Sequence, residues 1–349
     1  MNKKTVLVVA TSRNTRGGIS AVVNAHAKSE FWKNWHCRWI PTHSDKSRLL
    51  SLYYFVSGLF RLFWYLPSAK IVHIHLSHPV SFIRKCFFFF PAYLARKIII
   101  IHFHAASPEV TIHGWLAPLY VFVFKRAHRV IAISESWEKM IRDRVQEVSL
   151  SLVYNPSTKN TELVDKMSES RGRYILFAGT LIPRKGYTDL IQAFSRIVKK
   201  HPDWKLVIAG NGDIQRGQRL AQSLKIQEAV EFPGWISGEK KDALFGQASI
   251  FCLPSYAEGF PMAIVDAIAY GIPVVTTPVG GITDALHNNT EILTFTPGNI
   301  EELENVLGKL IADANLRDEL SKNASRTLKS RFDIGDVSRK IDAIYQSFV

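Results

Sequence analysis

Short runs rich in Val and Ile recur along this chain, each closed by a turn or cap residue and followed by a helical pattern. TVLVVAT (5–11), KIVHIHLS (70–77), KIIIIHFHA (97–105) and RVIAISES (129–136) form a first series. YILFAGT (174–180), WKLVIAGNGD (204–213), VEFPGW (230–235), SIFCLPS (249–255) and IPVVTTP (272–278) form a second. Runs that are apolar throughout, rather than at every other residue, suit strands covered on both faces. Strands alternating with helices make parallel sheets, because a parallel pair needs a long crossover. Between the series lies NPSTKNTELVDKMSESRGR (155–173), polar and without apolar period, which reads as the region joining two domains. The expected fold class is α/β, with two doubly wound Rossmann-like halves over residues 1–160 and 172–334. The last helix, 335–349, sets Val337, Ile341, Ile344 and Phe348 on one face and can pack back on the N-terminal half.

Three cysteines, Cys37, Cys86 and Cys252, stand far apart and never as CxxC. That excludes a disulfide framework and a Cys-rich zinc site, and fits a reducing cytoplasm. The opening MNKKTVLVVATSRNTRGG has no long apolar core and no A-x-A site, and reads as a first strand rather than a signal peptide. The net charge of +14 calls for an anionic partner. Nucleic acid is not expected, since no RNP, KH, helix-turn-helix or zinc-finger pattern is present. The basic residues instead punctuate aromatic segments: LLSLYYFVSGLFRLFWYLP (49–67), FIRKCFFFFPAYLARK (82–97) and WLAPLYVFVFKRAHR (115–129). These suit core helices with snorkelling basic ends, or a face lying on an anionic bilayer, better than a true span.

Doubly wound sheets bind ligands beyond the C-terminal ends of their strands. There the stretch EGFPMAIVDAIAYGIPVVTTPVGG (258–281) places two acids in an apolar run. Pro261 suits the first helical position and Gly271 a left-handed stop, giving a helix over 261–270. Met262, Val265, Ile268 and Ala269 then face the core, and Asp266 lies beside Ala263, Ala267 and Tyr270. A buried unpaired carboxylate is costly, so Glu258 and Asp266 must each meet a partner, water or a ligand. For Asp266 the plain alternative to a ligand is a lysine. Gly280 and Gly281 offer amides to a phosphate. GTLIPRKGYTDL puts Arg184 and Lys185 in a strand-to-helix loop, two cations for a diphosphate, although a lone pair of this kind is more often a solvated loop. Gly210 and Gly212 form a further turn after a strand.

This constellation resembles the retaining GT-B glycosyltransferases of family 4. The resemblance covers essentially the whole chain and is densest from 174 to 286. The family's E-x7-E signature falls on Glu258 to Asp266, and GTLIPRKG, IAGNGD, FPGWIS, AISES (132–136), VYNP (153–156), the paired Gly17 and Gly18, and HFHA (102–105) match in order. The resemblance implies the GT-B fold, two Rossmann-like domains facing across a cleft, with acceptor on the N-terminal one and nucleotide-sugar donor on the C-terminal one. It implies that Glu258 holds sugar hydroxyls, that the Gly259–Phe260 backbone approaches the sugar, and that Asp266 binds the ribose. Lys185 with the Gly280 and Gly281 amides would meet the diphosphate, Ile236 would border the base, and His104 would contact the donor sugar. Gly17 and Gly18 would form an acceptor or phosphate loop. Two positions depart from the pattern. Asp266 is one methylene shorter than the family's usual acid, and Thr180 stands where an arginine is common, with Arg184 placed to substitute.

Histidines His73, His75, His102 and His104 alternate on two strands, but nothing fixes a third ligand and no D-x-D is present, so no metal and no cofactor are expected. The expected activity is metal-independent transfer of a sugar, with UDP-sugar favoured over GDP-mannose as donor. The acceptor would be a glycan or lipid-linked saccharide of a cell-surface polysaccharide. The expected place is the cytoplasm, peripheral at the inner face of an anionic membrane. The alternatives are a nucleotide-sugar-binding protein without transferase activity, or another GT-B enzyme such as an epimerase.

Overall fold

The computed structural model describes residues 5–157 and 171–349. The chain divides into two compact units, Met1–Thr158 with Arg331–Val349, and Lys159–Ser330. Residues 158–170, most of the expected joining region, lie outside the described residues. Each unit is built on one six-stranded sheet.

The first sheet contains β1 (Thr5–Ala10), β2 (Arg38–Pro41), β3 (Ala69–Leu76), β4 (Ile98–Phe103), β5 (Arg129–Ala132) and β6 (Leu150–Leu152) in the order β2-β1-β3-β4-β5-β6, every pair parallel. The second contains β7 (Gly172–Ala178), β8 (Lys205–Ala209), β9 (Val230–Gly234), β10 (Ala248–Leu253), β11 (Val274–Thr276) and β12 (Ile292–Thr294) in the order β12-β11-β10-β7-β8-β9, again all parallel. The α/β, doubly wound expectation holds. In such sheets the strand order reverses at one point, and the loops there part to leave a crevice. That point lies between β1 and β3 in the first unit, and between β7 and β10 in the second.

The Ile334–Gln346 helix returns to the first unit, where Val337, Ile341 and Tyr345 join Val6, Val8, Ile71, Ile100 and Ile131 in one core. Tyr345 Oη lies 2.6 Å from His73 Nδ1, and Trp35 Nε1 donates to Asp342 Oδ1 at 2.5 Å. The three aromatic-basic segments behave differently. The Pro79–Leu94 and Ala117–Arg126 helices bury Phe82, Phe88, Phe89, Tyr120 and Phe124, as core helices do. The Arg48–Tyr65 helix buries only Gly58 and Leu62. A Cβ on Gly58 would lie 2.3 Å from the Pro41 carbonyl, so this helix rests directly on the end of β2 and presents the rest of its apolar surface outward.

Candidate active site

Lys185 and Glu258 come from the two loops that flank the reversal point of the second sheet, after β7 and after β10. Lys185 Nζ donates to Glu258 Oε1 at 2.5 Å, and Ser255 Oγ donates to the same oxygen at 2.5 Å. Arg184 stands 3.6 Å from Glu258 Oε2 and donates to the Ala257 carbonyl. Glu258 is buried, and Lys185 nearly so. Two cations around one carboxylate leave this cluster net positive.

Backbone contacts hold this pair of loops together. Tyr256 N–H donates to the Arg184 carbonyl at 2.7 Å. Gly186 has φ +64, and a Cβ there would fall 1.9 Å from the Pro254 carbonyl. Gly280, with φ +60, would bring a Cβ to 1.8 Å from the Glu258 carbonyl. A side chain at either position would push the loops apart. Gly281 N–H donates to the Gly259 carbonyl at 2.8 Å, so this amide is committed to the loop beside Glu258 rather than open to a phosphate. Phe260 is buried. Gly210 and Gly212 line up against the Gly179–Leu181 turn, where Leu181 N–H donates to Asn211 O at 2.6 Å and Gly210 N–H to Gly234 O at 2.8 Å. Ile236, half-buried, follows β9 on the same edge.

Asp266 departs from expectation in two ways. The helix runs Met262–Ala269 with Pro261 as its cap rather than its first residue, and it is buried on nearly every side instead of presenting one open face. Asp266 is itself 8% exposed, and Lys241 Nζ donates to its Oδ2 at 2.6 Å. The lysine alternative is therefore what the structure contains. Gly271 ends the helix with φ +66, as expected of a left-handed stop. Lys241 is a site residue that sequence reasoning missed, because a lysine on a separate polar helix, Glu239–Gln247, carries no signal of its partner.

In the first unit Gly17 caps the Gly18–His26 helix with φ +140, at the reversal point of that sheet. His104 lies one residue beyond β4, its Nε2 2.9 Å from His75 Nδ1. His73, His75, His102 and His104 form one compact cluster of near-parallel rings, with centroids 4.3–5.4 Å apart in neighbouring pairs. Burial pushes His73 and His104 down to about 3 and His75 and His102 well below the ordinary value, so all four are neutral at pH 7. Nitrogens of His73, His75 and His102 lie within 4.8 Å of one another. Their rings are 12–27° from parallel.

A cavity of about 940 Å³ in the second unit lies elsewhere. Arg171, Ser249 and Pro273 place it at the N-terminal edge of the sheet, away from Lys185 and Glu258. Ligand chemistry in this architecture belongs to the opposite edge.

Comparison with known proteins bears on the fold and the family. Residues 159–327 match the family model described as Glycosyl transferases group 1. An uncharacterized glycosyltransferase of Haemophilus influenzae is 27% identical over 210 residues, 59% of this chain and 58% of that protein. The MMP alpha-(1->4)-mannosyltransferase of Mycolicibacterium hassiacum is 29% identical over 183 residues, 51% of this chain and 44% of that one. The chain thus spans about half the length of these curated relatives. Among solved structures, Anabaena HepE in complex with UDP and glucose superposes with a TM-score of 0.79 at 17% identity, covering 99% of this chain and 100% of that one. The shared fold is GT-B, and over residues 159–327 the second unit is similar to the glycosyl transferases group 1 family.

Proposed function

We propose that this protein is a metal-independent, retaining glycosyltransferase that moves a sugar from a nucleotide-sugar, UDP-sugar favoured, to a glycan or lipid-linked saccharide. The observation that carries the reading is the meeting of Arg184, Lys185 and Glu258 at the reversal point of the second sheet. Departure of a nucleoside diphosphate builds negative charge on the leaving oxygen while the sugar becomes oxocarbenium-like. Lys185 and Arg184 neutralise the first, in fixed positions that cost no reorganisation. The bond from the anomeric carbon to the phosphate oxygen breaks, and the bond to the acceptor oxygen forms on the same face. The leaving phosphate oxygen takes the acceptor proton. Glu258, anchored by Ser255 and Lys185, orients the sugar hydroxyls and is not a covalent nucleophile. Asp266 reaches the ribose through exchange or sharing of Lys241.

The UDP preference draws support from HepE, whose structure holds UDP and glucose. A place at the inner face of a membrane draws support from the Arg48–Ser68 stretch, long and apolar enough to cross a membrane by length and composition yet carrying Arg48 at its start and Arg61 within it. A single helix of this kind is weak evidence for a span, and an interfacial seat explains its exposed aromatics together with Arg48 and Arg61.

A panel of nucleotide-sugars in single-turnover assays, with and without EDTA, tests the reading. Transfer or slow donor hydrolysis from one donor, unchanged by EDTA and lowered about 10²–10³-fold in Glu258→Gln, is expected. Donor binding without transfer or hydrolysis across a complete panel would instead make this a nucleotide-sugar-binding protein.

A further inference from the structure

The first unit holds a second group of cations that the donor site does not use. On the Pro79–Leu94 helix Lys85 is fully buried, and its Nζ donates to Ser81 Oγ at 3.0 Å. Beside it Arg84 is half-buried, with its Nε enclosed and lacking an acceptor. Among the described residues no carboxylate lies within ion-pair distance of either. Both cations act on His43 and His78, and Lys85 also on His75 and His104, so the pair faces the C-terminal ends of β2, β3 and β4. This is the reversal point of the first sheet. Burial and the neighbouring guanidinium push Lys85 down to about 7. A buried lysine beside a half-buried arginine, with no counter-ion among the described residues, is unfavourable in the fold alone, and groups perturbed in this way cluster where ligands bind.

Arg84 opens onto a groove of about 750 Å³ between the Arg48–Tyr65 and Pro79–Leu94 helices. His43 and Arg48 line it with Arg84, while Phe55, Ile83 and Phe87 make it apolar. Its one carboxylate, Asp45, already accepts from Arg16 N–H at 3.2 Å. The apolar wall continues outward as Leu52, Val56, Phe60 and Phe63, one stripe at helical spacing, with Phe60 68% and the neighbouring Trp64 70% exposed. A groove with a cationic inner end and a wall running onto an uncovered apolar face matches an amphiphile with an anionic head. Soluble proteins rarely leave so large a patch bare without a partner or membrane.

We propose that this groove is the acceptor subsite, and that its occupant is a lipid-linked phosphate or diphosphate. The anionic group meets Arg84 with Lys85 behind it. The first carbons of the chain run along Phe55, Ile83 and Phe87 toward the bilayer. The word acceptor rests on the transferase reading above, while the binding itself needs no donor and is tested without one.

Farnesyl phosphate serves as a short-chain probe for the full chain, with farnesol and inorganic phosphate as controls and phosphatidylglycerol vesicles as competitor. Farnesyl phosphate should bind at least ten-fold more tightly than either control, with proton uptake at pH 8 as Lys85 regains its charge. Lys85→Met should remove that preference while keeping or raising Tm, since it replaces a buried amine by a shape-matched apolar chain. Arg84→Gln should weaken it too, and both variants should keep the wild-type response to UDP. Equal binding of farnesol and farnesyl phosphate, or a preference that survives both substitutions, would overturn the assignment. So would displacement by phosphatidylglycerol alone, which would mark a general headgroup site. If UDP produces no response while the farnesyl phosphate preference stands, the donor reading fails and the groove does not.

Discussion

Glu258 shows how one buried carboxylate is made tenable: Ser255 and Lys185 both donate to Oε1, and Arg184 covers Oε2. The Gly280 turn presses on the same residue's backbone. Gly280→Ala adds a Cβ at 1.8 Å from the Glu258 carbonyl, at φ +60. It should destabilise the second unit by more than about 1 kcal/mol and displace Glu258, so that melting temperature and transfer fall together. Wild-type melting with intact donor binding would show that the turn yields. Histidines give the first unit its own signature. Burial lowers His26 to about 4 and His73 and His104 to about 3, with His75 and His102 well below the ordinary value. These rings stay neutral in the fold while the unfolded chain protonates below about pH 6.5. Stability is therefore lost as pH falls from 6.5 toward 4, by up to about 1.4 kcal/mol per pH unit for each ring. Lys85, at about 7 when folded against 10.5 unfolded, adds a rise above pH 7. Melts from pH 8.5 to 4.5 should fall steeply below 6, and a flat profile would contradict neutral burial of the cluster.

At the scale of elements, the Arg48–Tyr65 helix carries the sharpest expectation. Phe60→Ser with Trp64→Ser removes exposed apolar surface without touching Gly58 or Leu62, the buried residues of that helix. Sedimentation with phosphatidylglycerol vesicles should drop several-fold at unchanged Tm, and undiminished sedimentation would remove the interfacial role. The central strands were legible because a run such as IIIIHF, buried on both faces, has one reading. Edge strands β2 (RWIP), β6 (LSL) and β12 (ILT) were not, since three or four mixed residues hold no period. The site was legible in part for a similar reason. Arg184, Lys185 and Glu258 sit in loops punctuated by Gly and Pro, and topology then brings them together. The Lys241 partner of Asp266 and the closure of the Gly281 amide depend on how separate segments pack, which spacing does not encode.

For the whole molecule, the two units carry different chemistry. The second offers two cations and a carboxylate at its reversal point, and the first offers an apolar groove lined by Arg84, with Lys85 beside it and no carboxylate within ion-pair distance of either among the described residues. The claim that joins these observations is that a nucleoside diphosphate binds the second unit through Lys185. Thermal melting of the full chain with UDP, GDP and ADP tests it directly. A ligand at 100 times its Kd stabilises its unit by about 2.7 kcal/mol, about 5–10 °C for a unit of this size. UDP should raise the transition of the second unit by that amount, and Lys185→Ala and Asp266→Ala should each lose the response relative to their own unliganded melts. No shift with any of the three nucleotides, or a UDP shift undiminished in both variants, would contradict the account.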